Sequence, residues 1–144
     1  CALTQCFSLT PGGAFRDERG TVRFVNGFDL APVRRLYCIR NSAEHPFRGW
    51  VAHKVEHKWF FPASGVTAVH LVQVDSYEEP SPTLHADAII LDAEKPNVLH
   101  VPGGYAIGIE SRSPEAAVMV FSDCLLNERT DDVWRWEPEY WSRS

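Results

Sequence analysis

The chain has 144 residues, 44% of them hydrophobic, and a net charge of −5 from 14 basic and 19 acidic side chains. That length suits one domain around one core, and the apolar content excludes a disordered chain. The acidic balance argues against a general attraction for nucleic acid, and no apolar run approaches the roughly 20 residues that a membrane helix needs.

In chain order, the N-terminal run CALTQCFSLT lacks the basic segment and long apolar stretch of a signal peptide. The four cysteines, Cys1, Cys6, Cys38 and Cys124, have no CxxC spacing, which argues against a zinc site; three of them lie in apolar or strand-like surroundings, which suit buried free thiols and a cytoplasmic protein. The stretch FRDERGTVR then carries Arg16, Arg19 and Arg23, with Asp17 and Glu18 among them. It reads either as a solvated turn or as a basic cluster.

Strands are predicted next over 21–27 and 34–40, where Arg35 and Arg40 flank the run Leu36-Tyr37-Cys38-Ile39. The densest chemistry follows in HPFRGWVAHKVEH, residues 45–57. If a strand runs from Trp50 with the usual alternation, Val51, His53 and Val55 share one face while Ala52 and Lys54 share the other. His57 falls on the His53 face unless a bulge intervenes.

Further strands are predicted over 57–62, 66–74, 86–92, 97–102, 105–110 and 116–122, each rich in β-branched or aromatic residues. Turn chemistry separates them: ASG, the loop-like YEEPSPTLH, AEKP, a second PGG and SRSPE. No window has a sustained helical period. About eight short strands at this spacing predict an all-β sandwich or jelly roll. His70, His85 and His100 lie in or beside strands and read as structural. The tail DDVWRWEPEYW holds three of the five tryptophans. It is expected to dock its aromatics on the barrel or a second subunit, the alternative being a stacking wall for a ring.

The order of FRDERGTVRFVNGFDLAPVRRLYCIRN, RGWVAHKVEHKWFFPASG, VLHVPGGYAIGI and VMVFSDCLLNERTDD resembles the cupin family of sugar 3,4-ketoisomerases, which includes WxcM-like proteins, over 15–132. It is similar, more distantly, to the dTDP-4-dehydrorhamnose 3,5-epimerases. The most specific match is Arg48-Gly49 followed by Ala52-His53-Lys54 and His57. The resemblance implies an RmlC-like cupin fold (a double-stranded β-helix, or jelly roll), one domain over 1–144 and usually a homodimer. It also implies a dTDP-sugar in the barrel mouth. It gives His53 and His57 catalytic roles and makes Arg23 a phosphate contact; by their own chemistry Arg48 and Lys54 suit the diphosphate and Tyr37 a stacked thymine or sugar. It implies no cofactor.

Two departures stand out. Where the family pairs a second histidine with His53, this chain has Val51, which takes no proton. The stretch SDCLLNE offers Leu125, Leu126 and Asn127 where the epimerases place a catalytic tyrosine, which argues against 3,5-epimerisation. Ligand positions of metal-binding cupins fall on Val51, His53, Lys58 and Ile107, so no metal is expected: one imidazole does not hold a divalent ion in competition with water. Two functions follow: a metal-independent dTDP-4-keto-6-deoxyhexose 3,4-ketoisomerase-like enzyme of deoxysugar biosynthesis, or a non-catalytic nucleotide-sugar or glycan-binding cupin.

Overall fold

The computed structural model describes residues 6–143. One five-stranded antiparallel sheet runs in the order β1 (Ser8–Pro11), β9 (Asn97–Val101), β6 (Lys58–Ser64), β11 (Ala117–Ser122), β4 (Arg35–Ile39). A second runs in the order β12 (Trp134–Arg135), β5 (Phe47–Ala52), β10 (Tyr105–Ser111), β7 (Val66–Gln73), β8 (Asp87–Asp92). A separate hairpin joins β2 (Gly13–Asp17) to β3 (Gly20–Phe24). Facing sheets whose neighbouring strands are mostly not consecutive in sequence make the expected jelly roll.

The period-2 alternation decides what each face buries. Along β10, Tyr105, Ile107 and Ile109 point between the sheets, into a core with Val69, Leu71, Leu91, Phe60, Leu99 and Val120. Ala106 points the opposite way, toward Trp50, Ala52, Val72 and Trp141. The second sheet is therefore covered on both faces, and the aromatic tail supplies the outer cover. Trp141 meets Trp50 edge-on at 5.2 Å. Its indole N–H donates to the Ser81 carbonyl at 2.8 Å, and Tyr140 donates to that of Pro80. The tail thus staples the 77–85 loop onto its own sheet.

The eight predicted strands form, and the 45–57 stretch supplies β5. Three elements were not predicted. In β1 and β2 the glycine, proline and charged residues mask strands that lie at the margin of the fold, and β12 is two residues long. The thiol expectation holds for Cys124 alone: Cys38 is free but exposed, and Cys6 is exposed and disulfide-bonded. Cys1 lies outside the described residues. Among the described residues no helix is long and apolar enough to cross a membrane.

Candidate active site

A cavity of about 770 Å³ opens between the sheets, walled by β4, β5, β6, β10 and the loop after β11. Alternation from the buried Trp50 turns Val51 into it, and Val51 pairs with Ile107 on β10. With Ile109 and Phe60 they give the cavity an apolar side. The other lining is cationic: Arg35, Arg40, Arg48, Lys58, Arg129 and Arg135 face it, against the single carboxylate of Glu56. In a chain of net charge −5 this concentrates positive charge at one place.

His53 lines the same cavity and is 7% exposed. Its Nδ1 lies 2.6 Å from the Asp132 carbonyl oxygen, which only accepts, so Nδ1 carries the hydrogen and donates. Nε2 is then the lone-pair nitrogen, and it is buried with no hydrogen-bond partner. Burial first, then the Lys58 ammonium, holds the His53 pKa below the ordinary 6.5, against the Asp132 hydrogen bond and the Glu56 and Asp132 carboxylates. A neutral imidazole with an unpartnered ring nitrogen beside a cavity has the form of a general base.

Asp132 supports this arrangement from the loop side. Its carboxylate accepts the amide N–H groups of Lys54 at 2.6 Å and of Val55 and Glu56 at 3.0 Å each, which caps the turn after β5. Gly104 donates its N–H to the His53 carbonyl at 2.8 Å from the opposite side. Glu56 Oε2 accepts the Ser122 hydroxyl at 2.7 Å and faces Arg35 Nη2 at 3.7 Å, while Oε1 lies 3.7 Å from His53 Nδ1. Tyr37 also lines the cavity, its ring under Arg35 at 4.9 Å and Lys58 at 5.8 Å. Burial above all, then the Glu56 and Asp123 carboxylates, pushes the nearby Cys124 thiol up to about 11, so it is no nucleophile at neutral pH.

Of the residues singled out in sequence, the structure brings His53, Arg48 and Tyr37 together around the cavity. Lys54, His57 and Arg23 are not among its lining residues. The strand β5 ends at Ala52, and the chain turns over 53–57, so the alternation that pairs His57 with His53 is lost. His57 instead hydrogen-bonds His100 at 2.8 Å beside the Trp59 ring. The Lys54 ammonium sits over the rings of Tyr77 and Trp134 at 4.9 and 5.1 Å. The Arg23 guanidinium donates to the Ala93 and Ala63 carbonyls. Nor does a tryptophan of the tail line the cavity; Val133 and Arg135 do. His70 and His85, read as structural, bond Glu110 at 2.8 Å and Asp87 at 3.2 Å.

Sequence reasoning passed over Glu56, Ser122 and Asp132. Glu56 had a local signal, standing three residues after His53; Asp132 is 79 residues from His53 and had none. The metal-cupin positions Val51, His53, Lys58 and Ile107 do converge on the cavity. Among the described residues no cluster of three His, Cys, Asp or Glu side chains is placed to hold a metal ion.

The sequence matches no family model and no curated protein. Solved structures do match. A 3,4-ketoisomerase from Helicobacter canadensis aligns with a TM-score of 0.67 at 20% identity, covering 93% of each chain. A histidine-to-asparagine mutant of the 3,4-ketoisomerase QdtA from Thermoanaerobacterium thermosaccharolyticum, in complex with TDP-4-keto-6-deoxyglucose, aligns at 0.67 and 17%, covering 93% of this chain and 90% of that one. The rmlC epimerase of Mycobacterium tuberculosis aligns at 0.72 and 20%, covering 95% and 73%. The fold is that of the RmlC-like cupin isomerases and epimerases.

Proposed function

We propose that the chain is a metal-independent, cofactor-free isomerase-like cupin that binds a dTDP-linked 4-keto-6-deoxyhexose and interconverts its 3- and 4-keto forms. The observation that carries this reading is the cavity itself: six cations and one unpartnered imidazole nitrogen gathered in an acidic chain. Guanidinium groups bind phosphate oxygens through paired hydrogen bonds, so Arg48 and its neighbours suit a diphosphate. A proton beside a ketone is acidified. His53 Nε2 takes it from C3, an enediolate forms, and the proton returns at C4. Lys58 and Arg35 face the space where that negative charge develops.

A second reading has its own observation. Val51 and Ile107 make the wall beside His53 apolar, which suits a cupin that binds a nucleotide sugar or glycan without turnover. One experiment separates the two. With TDP-4-keto-6-deoxyglucose in deuterated water, NMR is expected to show exchange of the C3 proton and a 3-keto product. No exchange, with a thermal shift of about 2.7 kcal/mol in stability at dTDP near 100 times Kd, would leave only the binder. No shift and no exchange would remove both.

The proposal extends to one functional domain acting as a homodimer, with a small-molecule partner and no nucleic acid. The exposed apolar side chains on the outer face of the first sheet support the dimer. The free thiols of Cys38 and Cys124 favour a cytoplasmic setting, and the Cys6 disulfide opposes it.

A further inference from the structure

Interconverting a 4-keto and a 3-keto sugar moves two protons. One passes from C3 to C4. The other passes from the C3 hydroxyl to the C4 oxygen, because carbonyl and hydroxyl change places. His53 Nε2 is a single site and is committed to the carbons. While it holds the carbon proton it cannot also move the oxygen proton, so direct transfer between the oxygens needs a second group, and Val51 cannot serve.

Glu56 has the geometry for it. The side chain is 7% exposed and lines the cavity, and its backbone is pinned by the Asp132 carboxylate. The two oxygens differ. Oε2 is held by the Ser122 hydroxyl and faces Arg35, whereas Oε1 makes no hydrogen bond and lies 3.7 Å from His53 Nδ1. One oxygen is anchored and the other is open, on the same side as the imidazole. A carboxylate buried in a cavity that otherwise collects cations weakens a purely anion-binding site, so its presence there asks for a reason.

We infer that Glu56 is the second proton-transfer group, carrying the proton between the two sugar oxygens. The inference rests on the ketoisomerase reading above. His53 Nε2 takes the C3 proton; the C3–H electron pair becomes the C3–C4 double bond, and the carbonyl pair moves onto the C4 oxygen. Glu56 Oε1 accepts the proton of the C3 hydroxyl and delivers it to the C4 oxygen. The C3 oxygen pair then forms the new carbonyl, and C4 takes its proton from the His53 imidazolium. Nothing is oxidised or reduced overall, and both side chains end as they began.

The test reads C3-proton exchange and product formation separately, with TDP-4-keto-6-deoxyglucose in deuterated water, for the native chain, Glu56→Gln, His53→Gln and Tyr37→Phe. In Glu56→Gln the exchange is expected to continue within a few-fold of native while 3-keto product falls about 100-fold or more. In His53→Gln both are lost. A dTDP thermal shift confirms that each variant folds and binds; if Glu56→Gln does not fold, the exchange-to-product ratio in Glu56→Asp decides, and it must rise. Glu56→Gln making product at near-native rate overturns the inference. So does equal loss of exchange and product in that variant, or uncoupling in Tyr37→Phe alone. A native chain that neither exchanges nor converts the sugar overturns the ketoisomerase reading itself, and this inference with it.

Discussion

His53 is held as a neutral base by its surroundings, and that has a cost in acid. Burial and Lys58 lower its pKa; burial and then His57 lower that of His100. The unfolded chain takes up these protons near the ordinary value of 6.5, and the folded chain only at lower pH. Between the two values the unfolded state binds more protons, so stability rises with pH. The contribution is complete above 6.5 and is lost as pH falls through the folded value. Thermal unfolding followed from pH about 7.5 down to about 5 is expected to show a steeper loss of Tm for the native chain than for His53→Gln, which keeps an N–H for the Asp132 carbonyl. Equal slopes would show that His53 is not held neutral by the fold. At this scale the sequence was half legible. Arg48, Tyr37 and His53 could be placed from strand alternation and resemblance. Glu56 and Asp132 act through contacts across a turn and between distant segments, which no local pattern encodes.

The element that sets the site is the turn after β5, gripped from two sides. Asp132 caps its amides from the loop after β11, and the 102–104 turn before β10 closes on its carbonyls. Gly103 shows how close that second contact is: a Cβ there would lie 1.9 Å from the Lys54 carbonyl oxygen. Gly104 follows at φ +104°, a conformation open to glycine. Gly103→Ala must therefore push the two turns apart, at a cost of about 1–3 kcal/mol for forced overpacking. The expected result is a lower urea midpoint together with a weakened dTDP thermal shift, because His53 moves with its turn. An unchanged midpoint and shift would mean that the turn has slack. The strands themselves were legible because β-branched and aromatic runs between glycine, proline and acidic turns act locally. The same alternation that turned Val51 inward misplaced His57, because β5 stops at Ala52 and the turn resets the phase.

Across the whole molecule the two sheets are unequally covered. The aromatic tail buries the outer face of the second sheet, whereas on the first Phe28 packs against Phe121 and Trp59 and leaves Leu36 exposed. Cross-strand register there puts Leu36, Phe121 and Trp59 in one row and Cys38, Met119 and Phe61 in the next, on the face opposite Tyr37, Val120 and Phe60. Leu36 is 58% exposed, and on the hairpin Phe15 and Val22 are 56% and 62% exposed. A folded chain that took up an apolar tail to cover one sheet is expected to cover the other with a second copy, since a stable interface needs about 800 Å² per partner and apolar rows of this kind supply its centre. Light scattering is expected to give twice the 16.3 kDa chain mass. Leu36→Glu should shift that mass to the monomer, because a carboxylate at the centre of an apolar interface loses its water without gaining a partner. A native chain that scatters as a monomer at tens of micromolar would overturn the dimer.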